Sequence, residues 1–134
     1  MGAAGVPRSR PPLGRRSRLT RSAEFDRVYR QGRSFANRYL AVYAFPRPDE
    51  EATRLGLSVG RKVGGSVDRN RVKRVLREAF ADRREGSPGP YDVVIVARPD
   101  ALELVEREGL DGIAAALDEL LVRAGVLPAP EASR

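Results

Sequence analysis

Nine residues near the middle of the chain carry its strongest chemical signal: Arg69-Asn70-Arg71-Val72-Lys73-Arg74-Val75-Leu76-Arg77. At about 100° per residue, Val72, Val75, Leu76 and Ala79 share one face of a helix. Asn70, Arg71, Lys73, Arg74 and Arg77 project from the remaining circumference, with Arg69 at the border. Like charges at this spacing repel by roughly a few tenths of a kcal/mol per pair, so such a face needs compensation. Asp68 and Glu78 are the only acids close by in the sequence. A phosphate backbone would supply what they do not, and arginine binds it with a bidentate geometry that lysine lacks. Asn70 adds a group able to hydrogen-bond a ribose, a base edge or a phosphate oxygen. Immediately upstream, Gly60-Arg61-Lys62-Val63-Gly64-Gly65 contributes two more cations on a turn. That run lacks the Gly-Lys-Ser/Thr ending of a nucleotide-triphosphate loop, but its backbone N–H groups can still approach phosphates beside a helix N-terminus.

The whole chain fits this partner. Its 134 residues are the length of one domain, and they carry 25 basic against 18 acidic side chains. The charge is polarised. Residues 1–38 hold ten arginines but only Glu24 and Asp26 as acids, and beyond Ala81 acids outnumber bases. Histidine and cysteine are both absent, which removes the usual neutral-pH general base, disulfides and thiolate metal sites. Hydrolysis by the protein itself would have to rest on carboxylates. Asp49, Glu50 and Glu51 cluster in an expected loop, and Asp92 stands alone on its strand. Apolar runs such as residues 93–97 are far below the roughly 20 residues that span a bilayer, and arginines interrupt the start of the chain where a secretion signal would lie.

Residues 1–17 read as a flexible basic arm, 18–125 as one domain and 126–134 as a frayed tail. Within the domain, Ser22 caps a first helix in which Phe25, Val28 and Tyr29 recur at helical spacing, and Gly32 closes it. Residues 34–37 form a short extended piece, and residues 39–45 and 54–59 are strands. A long helix covers residues 66–84. Residues 91–97 form a strand buried on both faces, and residues 110–124 a last helix with Ile113, Leu117, Leu120 and Leu121 inward. The order αβββαβα gives an α/β sandwich with helices against a mixed sheet.

Several motifs in register resemble the bacterial ribonuclease P protein family. They are Gly56-Leu57-Ser58-Val59 with Arg61-Lys62, then Arg69-Asn70-Arg71-Val72-Lys73-Arg74. Upstream come Glu24-Phe25-Asp26-Arg27-Val28-Tyr29, Gly32 and Ala36-Asn37-Arg38, and downstream Tyr91-Asp92-Val93-Val94-Ile95-Val96-Ala97-Arg98-Pro99. The resemblance spans about residues 18–122 and implies an αβββαβα two-layer sandwich with a left-handed βαβ crossover, a fold shared with a ribosomal protein domain. It implies an accessory subunit of an endoribonuclease whose RNA removes the 5′ leader of precursor tRNA. Arg61, Lys62, Arg69, Asn70, Arg71, Lys73, Arg74 and Arg77 would then face the catalytic RNA. Phe25, Tyr29 and Tyr43, with Asn37 and Arg38, would hold the leader. No catalytic residue, metal or cofactor is expected on the protein itself, Mg2+ serving the RNA-catalysed step. The resemblance also implies a cytoplasmic monomer in a 1:1 ribonucleoprotein, away from any membrane. Charge and fold alone leave two other readings, a structural RNA-binding protein without a processing role and a two-metal nuclease built on carboxylates.

Overall fold

The structure is a computed structural model that describes residues 18–19, 22–47, 53–84 and 90–128. Its elements are α1 (Ser22–Gln31), β1 (Arg33–Ala36), β2 (Leu40–Pro46), β3 (Arg54–Val59), α2 (Ser66–Arg84), β4 (Tyr91–Ala97) and α3 (Ala101–Arg123). The sheet order is β1-β2-β4-β3. β1 and β2 pair antiparallel, as do β2 and β4, whereas β3 and β4 run parallel and are joined through α2. The expected αβββαβα mixed-sheet architecture is therefore the observed one.

Side-chain alternation assigns the two faces of the sheet. Leu40, Val42 and Ala44 of β2 point with Val93, Ile95 and Ala97 of β4 into the core beneath α2 and α3. Val72, Leu76, Ala79 and Phe80 of α2 enter the same core, as do Ile113, Leu117, Leu120 and Leu121 of α3. Each large side chain fully buried there contributes about 1.5–3 kcal/mol. The opposite face carries Tyr43 and Phe45 of β2, Asp92, Val94 and Val96 of β4, and Gly56 and Ser58 of β3. Among the described residues the one helix on it is α1, ten residues long, which packs through Val28 and Phe25 beside Leu19. One face is sealed by two long helices and the other is left partly open. This asymmetry creates the site.

Two stretches differ from the sequence-based expectation. The last helix begins at Ala101, not near residue 110, and is interrupted at Gly109 (φ 63°, ψ −144°), a backbone conformation that only glycine adopts without strain. Ala101, Leu104 and Val105 are buried ahead of that kink at helical spacing. At the other end, Val126 is 1% exposed and its N–H donates to Leu121 O at 2.9 Å, so the packed chain continues past the boundary expected at residue 125. The expected arm, residues 1–17, the carboxylates Asp49, Glu50 and Glu51, and residues 129–134 of the tail lie outside the described residues.

Candidate nucleic-acid interface

The α2 surface bears out the helical-wheel reading. Val72, Leu76 and Ala79 are fully buried, while Asn70, Arg71, Arg74 and Arg77 are exposed and Lys73 and Arg69 are half-buried. In the preceding turn, Val63 is buried and its N–H donates to Gly60 O, a fold that turns Arg61 and Lys62 outward. Among the described residues, Arg61, Lys62, Arg69, Lys73, Arg74 and Arg77 make no ion pair. Arg71 has one partner, Glu106 of α3, at a loose 3.7 Å. Elsewhere Arg27 and Arg54 pair with Asp92, Arg38 with Asp100 and Arg83 with Asp118, while Arg18, Arg30, Arg33 and Arg98 stand dispersed without an ion pair among the described residues. Six cations without an ion pair thus lie close together on α2 and the turn that leads into it. The Arg69 Nε is buried without a hydrogen-bond partner, so this side chain is already partly desolvated at the border of the face.

On the open face of the sheet, three aromatic side chains form a second surface. The Tyr29 and Tyr43 rings meet edge to face with centroids 4.9 Å apart, and Phe25 lies 6.4 Å from Tyr29. Tyr29 is 38% exposed, one of only two large exposed apolar side chains among the described residues. Burial of its ring pushes the Tyr29 phenol above the usual value of 10, partly offset by a hydrogen bond with Ser58. The hydroxyl is therefore neutral near pH 7 and does not repel a phosphate. Gly56 makes room for this arrangement, since a Cβ there would stand 2.6 Å from the Phe25 ring.

α1 is held on the sheet by a polar hub that the sequence reading missed. Asp92, fully buried, accepts two hydrogen bonds at 2.8 Å from Arg54 and one at 2.8 Å from Arg27 of α1, with Arg47 3.5 Å away. Arg54 also donates to Glu24 of α1 at 2.9 Å, and the Arg27 guanidinium lies over the Phe45 ring. Arg54 is held above the ordinary guanidinium value, first by the hydrogen bond to Asp92 and against the opposing effect of burial, so it stays charged throughout the accessible pH range. The signal was present in the sequence: Asp92 is the lone acid in an otherwise apolar strand.

The other two residues expected at the leader site stand apart from the aromatic set. Asn37 accepts from Tyr39 N and Leu40 N, and donates to Ala116 O and Glu119 Oε1 of α3. Its side chain is committed to the β1–β2 turn and to the helix behind the sheet, so it does not line the cleft. Arg38, though 67% exposed, is drawn to Asp100 at 2.7 Å and lies over the Tyr39 ring. Arg18 and Leu19, given no role by the sequence reading, border Phe25 in a cleft beside α2. Among the described residues no group of three or more His, Cys, Asp or Glu is placed to hold a metal ion, and no helix is long and apolar enough to cross a membrane.

Comparison with known proteins agrees with the geometry. Residues 13–124 match the family model described as Ribonuclease P. The ribonuclease P protein component of Bacillus pumilus is 38% identical over 96 residues, covering 72% of this chain and 81% of that protein. That of Brevibacillus brevis is 38% identical over 115 residues, covering 86% and 88%. Among solved structures, the RNase P protein of Staphylococcus aureus superposes with a TM-score of 0.74 at 32% identity, covering 83% of this chain and 97% of the other. The RNase P protein of Thermotoga maritima gives 0.71 at 31% identity, covering 81% and 97%.

Proposed function

The chain belongs to the ribonuclease P protein family, as an accessory component of that endoribonuclease in 5′ processing of tRNA, and on that premise we propose how its two surfaces divide the work. The α2 face with the residue 60–65 turn docks the catalytic RNA, and the Phe25–Tyr29–Tyr43 cleft holds the single-stranded leader of precursor tRNA. The observation that supports this reading best is the density of unpaired cations on one face. Arg61, Lys62, Lys73, Arg74 and Arg77 have no acid partner among the described residues and share one region with Asn70. Duplex and folded RNA present a dense line of phosphates to such a surface. The leader reading draws support from chemistry. Every base has a π-face, so an aromatic cleft accepts leaders of differing sequence.

The protein supplies binding and positioning, and the RNA supplies the bond-breaking step with its Mg2+. The donor chemistry here is guanidinium, ammonium and phenol, which suits phosphates and bases but offers a metal ion little. We further infer a monomer in a 1:1 ribonucleoprotein, working in the cytoplasm.

Tyr43→Ala tests the division directly. The substitution is expected to weaken holoenzyme binding of precursor tRNA by about 1–3 kcal/mol, the worth of one stacked base, with a far smaller loss for mature tRNA. Equal losses for both, measured by the same binding assay on a variant shown by circular dichroism to be folded, would return Tyr43 to a packing role.

A further inference from the structure

Where the two surfaces above meet, between α1, the outer edge of β3 and α2, lies a cleft that also takes in Arg18 and Leu19. It has about 500 Å³ of space counting its open mouth, and no acidic side chain among the described residues lines it. Three cations surround it: Lys73 and Arg77 from α2, and Arg18 from the segment ahead of α1. Its apolar wall is Leu19, Phe25 and Leu57, with Gly56 between them. Arg18 is held there by construction. It forms a parallel bridge to Leu55, and Leu19 N donates to Leu55 O at 2.9 Å, so this short stretch extends the sheet past β3. Leu19, 5% exposed, packs with Val28 and Val94 and fixes the register. Lys73 and Arg77 lie one helical turn apart on the side of α2 that faces this edge. Neither they nor Arg18 forms an ion pair among the described residues.

We propose that this cleft seats one nucleotide of a single-stranded RNA, its phosphate among Arg18, Lys73 and Arg77 and its base against Leu19, Phe25 and Leu57. Three converging cations without a carboxylate select an anion, and a phosphodiester allows each guanidinium a bidentate approach. The adjoining apolar wall selects an anion that carries a flat ring, which favours RNA over an acidic peptide. Phe25 belongs both to this wall and to the aromatic cleft, so an RNA strand lying along Tyr43, Tyr29 and Phe25 would pass into the pocket toward α2. The inference rests on the RNA-binding reading above. It adds a role for Arg18, and two sources of the nucleotide share this chemistry: the leader, or an unpaired stretch of the catalytic RNA.

The probe is adenosine 5′-monophosphate, titrated into the full-length protein while backbone amide shifts are followed by NMR. Saturable shifts are expected at Leu19, Gly56, Leu57 and Lys73. Arg18→Gln should weaken binding about two- to fivefold, the range of a partly exposed charge contact, while Arg123→Gln on the far side of the protein should not. Inorganic phosphate binding as tightly as the nucleotide, or adenosine doing so, would overturn the proposal, since either would mean that half of the pocket is unused. In the reconstituted holoenzyme, Arg18→Gln weakening precursor but not mature tRNA assigns the nucleotide to the leader, and weakening of protein–RNA assembly assigns it to the catalytic RNA. No change in either overturns it. Stimulation of leader cleavage by the unmodified protein is independent of all these outcomes, so failure of the pocket and failure of the accessory-subunit reading are told apart.

Discussion

Replacing Lys62 and Arg74 together by glutamine is expected to lower affinity for ribonuclease P RNA by about 60-fold near 0.1 M monovalent salt and to flatten the log–log salt dependence by about 1.8, or nearer 1.4 if the contacted RNA is single-stranded. Both side chains are exposed and make no ion pair among the described residues, so their removal should leave the fold intact. The magnitude follows from counterion release: each phosphate neutralised frees about 0.9 of a condensed ion on a duplex, and about 0.7 on a single strand. The loss should therefore fade as salt approaches 1 M, where the electrostatic advantage vanishes. Arg69 is a poorer choice for this experiment, since its Nε is buried and its removal mixes packing with charge. Filter binding over a range of salt concentrations checks the expectation. An unchanged slope would move the RNA contact away from α2.

The second large effect concerns stability. Asp92→Ala is expected to cost about 3–5 kcal/mol, because it leaves the Arg27, Arg47 and Arg54 guanidiniums facing one another around an emptied buried position. For a domain whose whole stability is about 5–15 kcal/mol, that is a large share. The loss should centre on α1, which is joined to the sheet by Arg27–Asp92 and by Glu24–Arg54. Once α1 loosens, Tyr29 and Phe25 leave Tyr43, so precursor selectivity should fall with stability. Urea unfolding monitored by tyrosine fluorescence and circular dichroism measures the first effect, and competition between precursor and mature tRNA the second. A change below about 1 kcal/mol, the worth of a surface ion pair, would mean that the hub is solvated in solution.

The elements and the basic helix were legible because their signals are local. A strand of seven residues with one polar member, and a helix whose apolar residues recur at 3.6-residue spacing, announce themselves within a short window. Asp92 looked solitary because its partners Arg27, Arg47 and Arg54 are 65, 45 and 38 residues away and meet it only after the sheet forms. Asn37 misled for a related reason. Its polar groups are consumed by its own turn and by α3, which packs against the face away from the cleft. The helical stretch before Gly109 escaped notice because the glycine split the apolar pattern of α3 into two short runs. Arg18 opened the expected domain without a role, because its place beside the cleft depends on a bridge to Leu55, 37 residues away.

Leader cleavage in a reconstituted reaction tests the central claim most directly. The purified protein is mixed with a bacterial ribonuclease P RNA at low magnesium, and removal of the 5′ leader from a precursor tRNA is followed over time. The account expects cleavage to need both components, with neither sufficient alone, and expects the Lys62→Gln/Arg74→Gln protein to restore it only at much higher concentration. A protein that binds the RNA yet never stimulates cleavage, or one that cleaves without any RNA subunit, would contradict it.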